Sequence, residues 1–478
     1  MSREPRRERG SATRRGLITA AAAGGAVVAG AGAVNLVAPE IIPETPRFDR
    51  NHSYWSAALP ALRPPLTSDL DADVVIIGGG FFGLSSAYYL RRRLPGLRVV
   101  LLEALACGNG ASGRNGGMVL TTTDDRYLRP NDDPATDGRL YQLTAQNLAV
   151  LADLAKATGI DCELERRGAL QVINAPSDAP ARKDYVSKAR DQGFPFEFWD
   201  AERTTASIGA RGYAGAVFDP GGGQVHPGKL VAVWKAAALG AGVEIHENSP
   251  VLHVEEGAVH TLHLDGGRRV RTPRLVLATN AYSSKLGYLR RAVAPIFDNV
   301  CITAPLDDAL FASAGWRDLI PFNDSRTEVF YAGRTRDNRI HFGGGPVDYQ
   351  FNNGLAQPQA IASRYAGVHR EFAKRFPALA EVPFQSCWNG LVDMSLDSSP
   401  ALGRLGRHRN VYYGIGFSGH GVNLTSVFGR VIADIIAGDA AAWSWLPFLD
   451  RLPPYVPNEP FRWLGVETAL AVLRSAGD

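Results

Sequence analysis

The chain has 478 residues, 45% hydrophobic and 21% charged, the proportions of a globular protein able to bury one large or two interlocked cores. Residues 1–15 carry six arginines and two glutamates, contributing +4 to a formal net charge of +3, so the rest of the chain is close to neutral and offers no general electrostatic case for nucleic-acid binding. Cys107, Cys162, Cys301 and Cys387 lie far apart, with no Cys-x-x-Cys pair or disulfide framework, and no metal site is expected.

The first element is a leader. Arg14 and Arg15 precede an uncharged run from Gly16 to Ala38 made mostly of Ala, Gly and Val. A charged start, a modest apolar stretch and small residues near Ala29–Ala33 are the parts of an export signal, and the paired arginines point to the twin-arginine route and its translocation machinery. The run is also long enough to span a bilayer, so a membrane anchor is the alternative; Ala and Gly contribute little transfer free energy to that reading. Residues 1–38 are expected as the signal and the Pro-rich residues 39–70 as a linker.

A dinucleotide-binding unit follows. Val74–Ile77 is a continuous apolar run, as a buried parallel strand requires. Gly78, Gly80 and Gly83 then fit G-x-G-x-x-G: a tight turn, an approach for a pyrophosphate, and a close helix–strand contact. The helix expected over Leu84–Arg93 would turn its N-terminal N–H groups to that phosphate. A second strand, "RVVLLEA", ends in Glu103, placed to accept hydrogen bonds from ribose hydroxyls. Strand, helix, second strand and terminal acid in this order point to an adenine dinucleotide.

The segment "ACGNGASGRNGGMV" comes next, where a nicotinamide dehydrogenase would usually begin another helix. Its glycines, with Ser112, Arg114 and Asn115 between them, can bring backbone against a flat ring over a long distance. With "GGGFFG", "GGGQVHPGKLV", "RLVLATNAYSSKL", "CWNGLVDMSLDSSPALGRL" and "GFSGHGVNLTSVFGRVIADIIAGD" in order, the chain resembles the D-amino-acid-oxidase-like FAD-dependent oxidoreductases over roughly residues 70–475. Within them it looks most similar to the gamma-glutamylputrescine oxidoreductase branch, with sarcosine and glycine oxidases more distant.

That resemblance implies an α/β fold, in which a Rossmann-like FAD-binding domain (71–145, 221–295, 388–440) interleaves with an α+β substrate domain on an antiparallel sheet (146–220, 296–387). Residues 441–478 would form a C-terminal tail. FAD would be held by Gly78, Gly80, Gly83, Glu103, Ser112, Gly113, Arg114, Asn115, Gly116, Gly117, Val251 and Ala278. Gly416, Gly419, His420 and Gly421 would bring the N-terminus of a helix over 424–437 to the flavin edge. The chemistry implied is oxidation of the C–N bond of a small amine or amino acid: hydride passes to flavin N5, the imine hydrolyses, and oxygen or another acceptor takes the electrons.

In the substrate domain, "TEVFYAG" and "RIHFGGG" read as strands joined by the turn "RDNR". His341 stands where sarcosine oxidases place a lysine beside the flavin, which makes it the sharpest catalytic candidate; a half-buried strand histidine is the plainer reading. Tyr331 and Arg334 could orient a carboxylate or amine, and Trp388 could wall the pocket or simply pack. Cys387 sits where sarcosine oxidases carry covalent flavin, but the spacing to "GFSGHG" differs, so FAD is expected without a bond, with a link to Cys387 as the alternative. A flavin-binding assembly protein without turnover would carry the same glycine motifs.

Overall fold

Val74–Ile77 pairs in parallel with Val99–Leu102 on one side and Leu275–Leu277 on the other. The computed structural model describes residues 53–122, 133–355 and 361–475; the leader and the first part of the expected linker lie outside them. Six strands form this sheet, in the order Ala401–Leu405, Val411–Ile415, Leu275–Leu277, Val74–Ile77, Val99–Leu102, Glu244–His246, with only the first antiparallel to its neighbour. Both faces are covered, so alternate residues enter two cores instead of alternating between core and water. Val74, Ile76, Val99 and Leu101 pack against the helices Phe81–Arg93, Pro227–Gly240 and Gly421–Ile436. Val75, Ile77, Val100 and Leu102 pack against a four-stranded sheet that contains Val251–Glu255.

The second half is a nine-stranded sheet in which Ala294–Thr303, near one edge, pairs with three neighbours. Phe384–Met394 and Ile340–Gly344 both run antiparallel to that strand, and Phe330–Arg334 pairs beyond Ile340–Gly344. The two strands expected around "RDNR" are therefore present as a hairpin. Period-two alternation splits their side chains. Phe330, Ala332, Phe342 and Cys301 enter a core with Val368 and Phe372 of the helix Ile361–Arg375. Tyr331, Val300, Ile302 and Trp388 face the other way, toward the nucleotide half.

Residues 53–66, read from sequence as linker, form a strap docked across both halves. Ser53 donates to the Gly113 carbonyl, and Trp55 Nε1 donates to the Asn115 carbonyl at 2.9 Å. Tyr54 bonds Asp337 of the nine-stranded half at 3.3 Å, and Leu66 N–H donates to Ser249 Oγ at 2.9 Å. Between them, Lys235 Nζ donates to the Ala61 carbonyl at 2.8 Å and to Glu247 at 2.6 Å, an ion pair with both side chains almost fully buried. The prolines that suggested a linker instead keep this segment extended, while its aromatic and leucine side chains anchor it.

The C-terminal segment also docks. Glu459 accepts from the Asn352 N–H at 2.9 Å, and the helix Phe461–Ser475 brings Arg474 to Glu328 at 3.2 Å. Among the described residues, no helix is long and apolar enough to cross a membrane.

Candidate active site

A cleft opens at the C-terminal ends of the parallel strands, where the order reverses and ligands of such sheets bind. Gly78–Phe82, Glu103–Leu105, Gly108–Ser112, Val251 and Ala278–Asn280 line it. Gly78 has φ +109°, and a Cβ there would lie 2.4 Å from the Ala278 carbonyl oxygen, so only glycine makes this turn without strain. Gly83 lies in the first turn of the helix Phe81–Arg93, which starts earlier than expected, with Gly80 as its N-cap. Phe81 N–H donates to Ser112 Oγ at 2.8 Å, tying the helix start to the glycine-rich loop.

Glu103 accepts from Gly79 N–H at 2.7 Å and from Leu105 N–H at 3.0 Å. Burial pushes its carboxyl up from the usual range, against the pull of those donors. A buried acid next to a helix N-terminus in one cleft suits an adenosine and a pyrophosphate. The residues present therefore fit FAD. Val251 and Ala278 reach the cleft from separate segments, as expected of them.

The loop 111–117 is held from within and from outside. Asn115 Nδ2 donates to the Ala111 and Ser112 carbonyls, and its Oδ1 accepts from Gly117 N–H at 2.8 Å. Arg114 is buried, its guanidinium donating to the carbonyls of Asn109 and Asn389 at 2.6 and 3.0 Å. Trp388, fully buried, donates from Nε1 to the Arg114 carbonyl at 2.8 Å. Gly113 takes the strap's Ser53, and Gly116 touches the ring of Tyr331, where a Cβ would lie 2.6 Å from the ring edge.

The helix Gly421–Ile436 begins three residues before its expected start and is joined to the stretch after this loop, because Asn423 Nδ2 donates to the Leu120 carbonyl at 2.8 Å. Ahead of it, Gly416 N–H donates to Asp393 at 2.6 Å; burial raises that carboxyl to about 6. Gly419 is exposed, and His420, at the N-cap, has a buried Nδ1 without a partner.

Against the loop stands one face of the nine-stranded sheet. The register sets Tyr331 opposite Gly343, Gly333 opposite His341, Val300 opposite Trp388 and Asp298 opposite Gly390, and the alternation turns all of these to the same face. His341 is 4% exposed, 5.8 Å from the Trp55 ring, and its Nδ1 has no partner. Burial lowers its pKa to about 4, so the ring is neutral at neutral pH. Arg334 falls on the opposite parity: its guanidinium lies 3.8 Å from the centre of the Phe311 ring and donates to Trp316 and Asn338. It is not brought to Tyr331 and His341. Cys387 likewise packs with the core behind the sheet, paired with Cys301.

Trp55, Gln224, His226 and Asp298 also reach this region. Trp55 is 1% exposed, with His226 at 4.9 Å and Trp388 at 5.9 Å between ring centres. Its sequence signal was the aromatic pair in "SYWSAAL", masked by the prolines after it. Asp298 had a clearer one: a lone carboxylate inside the apolar strand "APIFDNVCIT".

A family model described as "FAD dependent oxidoreductase" matches residues 73–435. Gamma-glutamylputrescine oxidoreductase of Escherichia coli strain K12 is 30% identical over 416 residues, 85% of this chain and 93% of that protein. A probable oxidoreductase OrdL of Haemophilus influenzae is 29% identical over 388 residues, 79% of this chain and 85% of its own length. Among solved structures, glycine oxidase from Geobacillus kaustophilus superposes with a TM-score of 0.68 at 22% identity, covering 79% of this chain and 98% of that one.

Proposed function

The chain belongs to the FAD-dependent oxidoreductase family, and from that premise we propose that it oxidises the C–N bond of a small amine or amino acid. The observation that carries this reading is the meeting of a dinucleotide cleft, a glycine-rich loop and a sheet face bearing Tyr331, His341 and Trp388. Bound FAD supplies the two-electron acceptor for such an oxidation, leaving an imine that water hydrolyses. The chain's own residues bind and orient. Trp388 and Trp55 fix the loop through its carbonyls and exclude water from the sheet face. His341, neutral at neutral pH, is the candidate to take up a transferred proton.

The placement of Cys387 behind the sheet supports FAD held without a covalent bond. Denaturing the protein and filtering it tests this: flavin should pass through the filter, and flavin retained on the chain would refute noncovalent binding. The leader supports export by the twin-arginine route, since a cofactor held by segments distant in sequence is best acquired before translocation. Replacing Arg14 and Arg15 by lysine should abolish export.

Oxidation itself is tested by anaerobic mixing with a panel of amines and amino acids, followed by air. Bleaching of the flavin absorbance identifies the substrate class, and the rate of colour return separates an oxidase from a dehydrogenase. A spectrum unmoved by every compound would favour a flavin-binding protein without turnover.

A further inference from the structure

The face opposite the glycine-rich loop is rich in hydrogen-bond acceptors. Asp298 and Tyr331 are linked by a hydrogen bond of 2.6 Å from the tyrosine hydroxyl to Oδ2. Gly343 makes that bond possible: the Tyr331 ring lies across it, and a Cβ there would sit 2.5 Å from the ring. Both side chains are half-buried, and the Tyr331 ring touches Gly116 of the loop. Further along the same face, Gln224 donates Nε2 to the Arg334 carbonyl at 2.7 Å, which leaves its buried Oε1 without a partner. That oxygen and His341 Nε2 flank the Gly333 α-carbon, four residues along the sheet from the level of Asp298. The Asp298 carboxylate and the Tyr331 hydroxyl are thus the polar pair presented next to the loop.

Nothing cationic answers them among the described residues. The guanidinium of Arg334 is on the other side of the sheet. Arg114 passes Gly390, the residue paired with Asp298, but its guanidinium turns to two backbone carbonyls. Asp348 pairs beside Phe297 on the opposite parity and is held by Arg364. Among the described residues, no Lys or Arg perturbs the titration of Asp298, Tyr331 or His341; burial is the leading cause at all three, and it raises the Asp298 carboxyl to about 6. A substrate carboxylate entering here would meet a like charge in a poorly solvated space, whereas an ammonium would complete an ion pair.

We propose that Asp298, oriented by Tyr331, is an anionic subsite that selects cationic alkylamines over carboxylate-bearing amino acids. This rests on the reading of the sheet face as the substrate side of the flavin site. The ammonium donates to the Asp298 oxygen not engaged by Tyr331. Asp298 is then a specificity residue that the established family membership does not assign.

The test uses the FAD-loaded protein and two tert-butyl probes of opposite charge, tert-butylammonium and pivalate. Neither carries hydrogen on the carbon next to its charged group, so neither can be oxidised and both report binding alone, through perturbation of the flavin absorbance. At pH 8 tert-butylammonium should bind at least tenfold more tightly than pivalate. Asp298→Asn should weaken the cation at least tenfold and leave pivalate little changed, and Tyr331→Phe should weaken it less. Cation binding should also fall about tenfold per pH unit below about 6.

Equal or tighter binding of pivalate, or no binding of either probe, overturns the proposal, as does an Asp298→Asn variant that keeps FAD and binds the cation unchanged. If Asp298→Asn does not retain FAD, the wild-type probe pair and Tyr331→Phe decide. Bleaching by amino acids but not amines would keep the oxidation reading and sink this one. Cation binding with no bleaching by any compound would do the reverse.

Discussion

The nucleotide cleft and the sheet face bearing Tyr331 and His341 are built by opposite strategies. The cleft works through backbone: a turn at Gly78, a helix start at Phe81 and a loop held by its own Asn115, all within residues 74–117. The sheet face works through side chains delivered from four strands and a strap, spread from Trp55 to Trp388. A backbone site is specified by spacing, and spacing is local. A side-chain face is specified by register, so one residue of slip would carry Tyr331 and His341 to the wrong side of the sheet.

This contrast can be broken by substitution. The sheet face should be most sensitive at the residue contributed from farthest away. Trp55→Ala is expected to cost ~3–5 kcal/mol in denaturant unfolding, because it empties a fully buried indole site. A loss below about 1 kcal/mol would mean that the strap merely lies on the surface. Trp55→Phe, which keeps most of the packing and loses the bond to Asn115, should cost about 1 kcal/mol.

Acid should act next, and through the same face. His341 takes a proton near its ordinary value when unfolded but only at about 4 when folded. The unfolded chain therefore binds more protons across that window, and the stability tied to the neutral ring is lost as pH falls from about 6.5 to about 4. The effect is on the order of 3 kcal/mol, and His341→Leu should flatten that part of the pH–stability curve. An unchanged curve would place the ring in contact with water. The same variant should slow either flavin reduction or reoxidation, and unchanged rates in both would remove His341 from the reaction.

In the cleft, Gly78→Ala adds a Cβ against the Ala278 carbonyl in a left-handed conformation. About 1–3 kcal/mol of strain should weaken FAD retention roughly 5- to 150-fold, read from the flavin-to-protein absorbance ratio. Full retention would show that this backbone yields. The smallest effect belongs to the outer edge of the nucleotide half. Arg98→Ala breaks a solvent-exposed pair with Glu244 and should cost about 0.2–1 kcal/mol, falling with added salt. A larger loss would mean that side chains matter to this half more than its local construction implies.

The same contrast explains what was legible in the sequence. The apolar runs at Val74 and Val99, the glycine spacing and Glu103 led to the cleft because each constrains its immediate neighbours. The hairpin carrying Tyr331 and His341 was visible as two strands and a turn. Which face each residue takes was not: Arg334 was grouped with Tyr331 although three positions along a strand put them on opposite sides. Asp298 needed the pairing of Ala294–Thr303 with two strands before its partner could be seen. Trp55 was lost to composition, since prolines mark a docked strap and a free linker alike.

The strap also bears on where this protein can be cut. The family match begins at residue 73, and a fragment expressed from there would keep every glycine of the cleft. It would lose Trp55, the bonds from Ser53 and Trp55 to the flavin-side loop, and the segment that meets Lys235 and Glu247. Such a fragment should come out colourless or loosely coloured despite an intact fingerprint. For the same reason, a truncation meant to keep the colour should stop short of Ser53.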